Sequence, residues 1–278
     1  MQLKEIVLKT GFKFKKALGQ NFIESDGILK GIVDCADVTK EDTVLEIGVG
    51  GGTLTREIAG RAKAVFGYEI DKSLQPVLAR SLSGVENAEI IFKDFMRVPM
   101  SEVEKDLGKD YVVIANLPYY ITSPIVMRLL EEGNNCKRIV VTVQKEVADR
   151  FCAKVGSSDY GAITLAIDAL SDPSEAMFIG RENFYPAPNV DSAVARLDIN
   201  RNKFAGLDYG IFREAVRIAF LSRRKTLANN LINTLGLSRG EAEDILSAAE
   251  IDPSIRGERL AVEDFIRLSK ILKEKGKI

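Results

Sequence analysis

Residues 44–53 read VLEIGVGGGT, a short apolar run that leads directly into a glycine-rich turn. An apolar run of this length with β-branched residues is typical of a buried strand. The glycines that follow allow positive φ angles and let a ligand approach the backbone closely. This stretch therefore predicts the first strand of a parallel sheet, with a ligand site at the turn that follows it.

The chain after this turn repeats the same kind of unit. Further apolar runs occur at residues 64–68, 88–92, 111–115 and 137–143. Helix-like stretches such as 54–59 and 72–82 lie between them. Strands that alternate with helices predict a doubly wound α/β sheet, which binds ligands at the carboxyl ends of its strands.

The last third of the chain departs from this alternation. Residues 176–184 and 192–199 read as strands without a clear helix between them, so we expect an antiparallel pair at one sheet edge. Helical periods follow at residues 209–235, 239–249 and 261–275. We therefore predict an α/β domain over residues 1–200 and a small all-helical domain over residues 201–278.

The composition is that of an ordinary globular protein, with 46% hydrophobic and 28% charged residues. No apolar run approaches the ~20 residues that a membrane span needs, and the N-terminal lysines do not introduce a secretory signal. Cys35, Cys136 and Cys152 lie far apart, which indicates free thiols in a reducing compartment. We therefore expect a cytoplasmic protein without a membrane association.

The chain contains no histidine. This excludes Ser-His-Asp and Cys-His triads, histidine metal sites and histidine general bases. Any chemistry must then use carboxylates, amides, backbone groups and a cofactor, and we expect no metal site.

Two segments are basic although the net charge is only −1. Residues 1–20 carry five Lys and one Glu, and residues 201–235 carry seven Lys or Arg against two acids. Basic segments on an otherwise acidic chain suggest a surface that binds a polyanion. Solvated helix faces would produce the same pattern.

Glu46, at the start of the turn, bears on the choice of cofactor. The pattern E-x-G-x-G-x-G fits the dinucleotide fingerprint imperfectly, because Thr53 stands where the third glycine is expected. A carboxylate at this place would repel a pyrophosphate, whereas S-adenosylmethionine carries a sulfonium, an amino group and no phosphate. We therefore predict S-adenosylmethionine as the cofactor, with Gly48 in its binding turn.

Two more acids end the next two predicted strands. Glu69 lies 21 residues after Gly48, where a carboxylate can accept both hydroxyls of a ribose. Asp94 can accept a hydrogen bond from an adenine amine. Each acid alone is also explained as a helix N-cap or a surface charge.

Asn116, Leu117, Pro118 and Tyr119 directly follow the fourth run. The side-chain carbonyl of Asn116 and the backbone carbonyl of Leu117 can accept hydrogen bonds from an exocyclic amine, which makes its nitrogen more nucleophilic. Pro118 stiffens the turn and Tyr119 can stack on a base. This chemistry needs no strong base. A plain proline turn with a surface tyrosine would give the same sequence pattern.

Taken together, five stretches resemble the ribosomal RNA adenine dimethyltransferase family, particularly its kasugamycin-resistance type. They are residues 15–22 (KKALGQNF), 46–50 (EIGVG), 116–124 (NLPYYITSP), 184–192 (FYPAPNVDS) and 219–227 (AFLSRRKTL). The resemblance implies a Rossmann-like class I methyltransferase with a seven-stranded sheet. It also implies dimethylation of N6 on two adjacent adenines in the 3′-terminal hairpin loop of small-subunit rRNA.

The resemblance also implies roles for particular residues. The cofactor would contact Asn21, Ile23, Gly48, Glu69, Asp94 and Asn116. The target adenine would meet Asn116 and the Tyr119 ring, with Phe184 covering its other face. The basic residues that would lie near RNA phosphates are Lys13, Lys15, Lys16, Arg217, Arg223, Arg224 and Lys225, although Arg223 and Arg224 would equally suit salt bridges to the acidic domain.

The same resemblance implies a partner and leaves rivals. The partner would be small-subunit rRNA within an assembling 30S particle, bound by a monomer. One rival is the macrolide-resistance class, which methylates large-subunit rRNA on the same fold. A second is a ribosome-assembly factor that kept the fold and lost turnover.

Overall fold

The computed structural model describes residues 3–204 and 206–278, apart from the side chain of Lys16. Its strands are β1 (Phe22–Ile23), β2 (Thr43–Ile47), β3 (Ala64–Tyr68), β4 (Ala88–Ile91), β5 (Tyr111–Asn116), β6 (Cys136–Gln144), β7 (Ser171–Ile179), β8 (Phe184–Tyr185) and β9 (Ser192–Ile199). Its helices are α1 (Leu3–Thr10), α2 (Asp26–Cys35), α3 (Thr53–Arg61), α4 (Gln75–Ser81), α5 (Met100–Leu107), α6 (Thr122–Glu132), α7 (Lys145–Phe151), α8 (Ala162–Asp168), α9 (Tyr209–Phe220), α10 (Leu227–Leu235), α11 (Arg239–Ala248) and α12 (Val262–Glu274).

Within these residues, seven strands form one sheet in the order β4-β3-β2-β5-β6-β9-β7. The pairs β2–β3, β2–β5, β3–β4 and β5–β6 are parallel, and β9 runs antiparallel to β6. The chain therefore builds outward from β2 in one direction and then from β5 in the other. The crevice between the carboxyl ends of these two strands is where such a sheet binds ligands. The predicted doubly wound sheet with antiparallel pairing towards one edge is confirmed.

The two central strands are buried, which explains their continuous apolar runs. In β5 every residue from Tyr111 to Ala115 is buried, as are residues 44–47 of β2. Val44 and Ile114 share one core cluster with Ile32 of α2 and Ile58 of α3. A packed centre of this kind holds the ends of the strands in fixed positions.

The predicted strand at residues 176–184 was wrong in its bounds. Strand β7 ends at Ile179, and a 3₁₀ turn at Arg181–Asn183 follows it. The next two residues form β8 and pair antiparallel with β1 in a separate two-stranded sheet. The chain leaves the strand at Gly180 and the polar residues Arg181–Asn183, which form the turn between β7 and β8.

The predicted helix at residues 209–235 is two helices. Helix α9 ends at Phe220, and α10 begins after Thr226, whose hydroxyl accepts a hydrogen bond from the Asn229 N–H. A threonine side chain that bonds the backbone in this way competes with continuation of a helix. Helix α11 begins after Ser238, whose side chain caps it, and Glu241 completes a capping box.

The described chain divides into two compact units. The first comprises residues 3–148 and 172–199, and the second comprises residues 149–171, 200–204 and 206–278. The structure therefore places residues 149–171, which the sequence assigned to the first domain, in the second unit. The physical reason is that Tyr160 and Leu165 are buried in the same core as Phe212 and Phe265.

No helix in the described ranges is long and apolar enough to cross a bilayer. The cysteines Cys35, Cys136 and Cys152 are free thiols, as their spacing predicted. In the same described ranges, no group of three or more Cys, Asp or Glu side chains is placed to hold a metal ion.

Candidate active site

A cleft in the first unit brings together most of the predicted site residues. Its volume is about 1090 Å³ when the space open to solvent is included. Ligand pockets commonly measure ~300–1,000 Å³. The predicted residues that line it are Asn21, Ile23, Gly48, Glu69, Asp94, Asn116, Leu117, Pro118 and Tyr119.

The glycine turn lies close to two other segments of the cleft, the one at Asn116 and the one at Phe22. Gly48 has φ 77°, and a Cβ atom there would lie 3.7 Å from the backbone oxygen of Asn116. Gly50 has φ 57°, and its Cβ would come within 2.8 Å of the Phe22 ring. Larger residues would therefore be strained at both positions, and at Gly50 they would also displace the Phe22 ring.

Glu69 is buried at the end of β3, with 5% of its surface exposed. One carboxylate oxygen accepts the Asp71 N–H at 2.8 Å and the other accepts the Gly50 N–H at 2.8 Å. Burial raises the pKa of Glu69, and these two bonds oppose the rise. Each oxygen keeps a free lone pair, so the carboxylate can accept two hydroxyl groups.

Asp94 caps a turn and also lines the cleft. One oxygen accepts the Met96 N–H at 3.0 Å and caps a 3₁₀ turn, while the other lies 3.3 Å from the guanidinium of Arg97. The residue also lines the cleft. A capping role therefore fixes the carboxylate in place without removing it from the ligand site.

The Asn116 side chain is held by one bond across the cleft. Its amide nitrogen donates to the backbone oxygen of Asn21 at 2.9 Å, which fixes the orientation of the amide. The amide oxygen makes no hydrogen bond to the described part of the chain and is left as an acceptor. The Pro118 carbonyl accepts the Ile121 N–H and the Thr122 hydroxyl, so the loop itself is rigid.

Tyr119 is half-buried, and its hydroxyl lies 2.8 Å from the hydroxyl oxygen of Ser192. Burial raises the pKa of the Tyr119 phenol, so the ring is neutral at ordinary pH. The hydrogen bond restrains the ring where it lines the cleft. Tyr120, which also lines the cleft, is 63% exposed.

Phe184 is the one predicted catalytic residue that the structure does not bring into the lining of the cleft. Its side chain is 4% exposed and packs in a core cluster that includes Ile23, which is also its partner in the β1–β8 ladder. Its stacking on a base stays a prediction.

The sequence interpretation missed several residues at the cleft. Ile70 follows Glu69 directly, is 54% exposed and lines the cleft. Gln20 lines it as well, and its side chain donates to the carboxylate of Asp71 at 2.9 Å. Ile70 and Asp71 could have been found from the sequence because they directly follow Glu69. The contact between Gln20 and Asp71 spans 51 residues, and no local sequence pattern indicates it.

Glu46 is fully buried at the floor of the cleft, and neither of its oxygens has a hydrogen-bond partner among the described residues. Burial, together with the charge of Glu69, raises its pKa to about 8, although the neighbouring Thr55 hydroxyl opposes the rise. At neutral pH the group is therefore mostly an uncharged acid, not the anion that the sequence suggested. In its uncharged form Glu46 would not repel a phosphate.

Replacing Glu46 with glutamine should remove a pH dependence of stability. In the folded protein the pKa of Glu46 lies above its ordinary value of 4.5. The folded state therefore binds more protons than the unfolded state between pH 4.5 and about 8. Stability should therefore fall as the pH rises through this window, by up to about 1.4 kcal/mol per pH unit. Denaturant unfolding of both proteins at pH 5.5, 7 and 8.5 measures the difference.

The exposed Glu86, substituted with glutamine, serves as the control and should keep the wild-type profile. If the wild type and the Glu46→Gln protein showed parallel profiles, the carboxyl would already be charged at low pH and the assignment would be wrong.

The predicted RNA-binding residues fall into different settings. Lys13, Arg224 and Lys225 are exposed, and their side chains make no hydrogen bond or ion pair in the described ranges. Arg217 pairs with Glu214 through two nitrogens at 2.7 and 2.8 Å. The predicted residue Lys16 lies outside the described side chains.

The remaining two are held by specific contacts. Arg223 donates to the backbone oxygens of Ser158 and Tyr160, both at 3.1 Å. Lys15 pairs with Asp71 at 2.6 Å. Neither therefore presents a wholly free cation.

The sheet order with its antiparallel strand and the carboxylate after β3 are the arrangement of a Rossmann-like methyltransferase. In the loop after β5, the bond to the Asn21 carbonyl fixes the orientation of the Asn116 amide. The model of the ribosomal RNA adenine dimethylase family matches residues 11–274, and the chain belongs to this family. The resemblance seen in the sequence is thereby confirmed.

Individual proteins agree with this assignment. A ribosomal RNA small subunit methyltransferase A from Bacillus pumilus is 43% identical over 281 residues, which is 99% of this chain and 96% of that protein. A dimethyladenosine transferase from Plasmodium falciparum has a similar structure, with a TM-score of 0.79, 27% identity and coverage of 92% and 98%. The 23S rRNA methyltransferase ErmE also resembles it, with a TM-score of 0.69, 27% identity and coverage of 91% and 100%.

Proposed function

We propose that the protein transfers methyl groups from S-adenosylmethionine to N6 of two adjacent adenines in the 3′-terminal hairpin loop of small-subunit (16S) rRNA. The preference for the small subunit is supported by the 43% identity to a small subunit methyltransferase over almost the whole chain. The 23S methyltransferase ErmE and the dimethyladenosine transferase are both 27% identical to the chain, but ErmE has the lower TM-score, 0.69 against 0.79. The substrate would be an assembling 30S particle.

The cleft fits the proposed cofactor. The two free lone pairs of Glu69 suit the two ribose hydroxyls, and the exposed Ile70 beside it suits one face of the adenine ring. Asp94 keeps acceptor capacity for the adenine amine. Glu46, buried without a partner, suits the positively charged methionine end, because a nearby cation would favour its ionised form.

The observation that carries the proposal is the hydrogen bond from Asn116 to the Asn21 carbonyl. It turns the amide oxygen of Asn116 into a fixed acceptor beside the carbonyl of Leu117. Two acceptors on one exocyclic amine draw its hydrogens out of the plane of the ring and return lone-pair density to the nitrogen. Bound S-adenosylmethionine supplies an electrophilic methyl group to that nitrogen.

The other groups of the loop would hold the base and exclude water. Tyr119, restrained by Ser192, would stack on the extruded adenine. The Pro118 ring restricts the backbone after Leu117, and its carbonyl accepts the Thr122 hydroxyl, which ties the loop to α6. The proton leaves the nitrogen after methyl transfer, when it is cationic and acidic, so no histidine or other strong base is required.

The helical second unit would bind rRNA phosphates. The side chains of Arg224 and Lys225 are exposed without partners in the described ranges, and they would supply affinity that does not depend on sequence. Lys13, in the first unit, would add to it, and Arg217 and Arg223 would do so while keeping their present contacts. We propose that the protein acts as a monomer.

Incubation with tritiated S-adenosylmethionine and small subunits that lack the modification tests the function. We expect label in N6,N6-dimethyladenosine after the rRNA is digested. Large subunits serve as the parallel substrate. Label only in large-subunit rRNA would move the protein to the resistance class, and no label in either would indicate an assembly factor without turnover.

A further inference from the structure

Asp71 is a buried carboxylate that the proposed chemistry does not use. Its side chain is 1% exposed, yet it accepts hydrogen bonds from three different residues. The Lys15 ammonium donates at 2.6 Å, the Gln20 amide at 2.9 Å and the Ser73 hydroxyl at 2.6 Å. Burial opposes its ionisation, but these bonds outweigh burial and lower the pKa of Asp71 to about 2.

The contacts of Asp71 continue in both directions along the cleft. On one side its own N–H donates to the carboxylate of Glu69 at 2.8 Å. On the other side the Gln20 side-chain oxygen accepts the backbone N–H of Lys15 at 2.8 Å, so residues 15–20 form a closed loop on Asp71. The next residue, Asn21, accepts the bond from Asn116.

We propose that Asp71 is a positioning residue that, through Lys15 and Gln20, holds residues 15–21 over the cleft and so joins the Glu69 carboxylate to the Asn116 amide. The inference rests on the proposed cofactor site. Its consequence is that the ribose end of the cleft and the acceptor for the target amine are held by one hydrogen-bonded network. Loss of a member should weaken cofactor binding even though neither Lys15 nor Asp71 lines the cleft.

Lys15 gives the sharpest test, because its two possible roles predict different results. We would measure the dissociation constant of S-adenosylhomocysteine by calorimetry, without RNA, for Lys15→Met. We expect a roughly tenfold weaker constant, the loss that one hydrogen bond to a charged group gives. Lys15→Arg should restore binding to within about threefold, since a guanidinium can also donate to Asp71.

Two further measurements separate positioning from a loss of structure. Circular dichroism should show an unchanged fold for Lys15→Met, whose side chain is 48% exposed. The double variant Lys15→Met/Asp71→Asn should bind no more weakly than the weaker single variant, because both changes remove the same contact. Lys30, exposed on α2, provides the matched control as Lys30→Met.

Unchanged binding of S-adenosylhomocysteine by Lys15→Met would overturn the proposal. If the same variant raised KM for small subunits and flattened its salt dependence, Lys15 would be a phosphate contact instead. If the wild-type protein itself failed to bind S-adenosylhomocysteine, the proposed function would fail before the role of Asp71 arose.

Discussion

Asn116→Ala should lower the rate of methyl transfer at saturating substrates by about 10²–10³-fold, the loss typical of removing one oriented polar group from a reacting centre. The substitution deletes the only side-chain acceptor that we assign to the target amine. It also deletes the bond to Asn21, so a smaller loss of cofactor affinity should accompany it. Single-turnover assays with labelled cofactor measure the chemical step directly.

Asn134→Ala is the matched control, because Asn134 is exposed and its side chain has no partner in the described ranges. It should keep the wild-type rate. Thermal unfolding should show that the Asn116 variant is folded at the assay temperature. A wild-type single-turnover rate for Asn116→Ala would refute the orienting role of the amide.

Glu69→Gln should weaken binding of S-adenosylmethionine by roughly 10–100-fold, because hydrogen bonds to a charged group contribute about 1.5–3 kcal/mol each. A glutamine oxygen can serve one of the two backbone N–H donors. Its NH₂ group would then face the other donor, either Gly50 or Asp71. The side chain therefore loses its charge and also its fit to the turn.

Calorimetric titration with S-adenosylhomocysteine measures this effect, and KM for the small subunit at saturating cofactor should change little. Glu86→Gln, the exposed control used above, should bind as the wild type does. Binding of Glu69→Gln within about twofold of the wild type would show that the ribose is recognised elsewhere.

Local sequence was sufficient to predict most of the sheet and the ligand turn. A parallel strand buried on both faces requires a continuous apolar run, and such runs predicted β2, β3 and β5 nearly to the residue. The polar residue after each run marks the edge where ligands bind, which is why Glu69 and Asn116 could be singled out.

Boundaries were less accessible from the sequence. The loop at residues 221–226 reads as continuous helix, since its interruption depends on the side chain of Thr226 bonding the backbone. Residues 149–171 read as part of the first domain, since nothing local shows that Tyr160 is buried in the second core. Alternatives of this kind differ in long-range packing and not in periodicity.

The sequence by itself determined the family, the order of the strands along the chain and the residues at their carboxyl ends. Only the tertiary structure decided which groups meet: Lys15 bonds Asp71 across 56 residues, and Asn116 bonds Asn21 across 95. It also decided that Glu46 is an acid with a raised pKa. Contacts and burial depend on segments brought together by folding, and no local pattern carries that information.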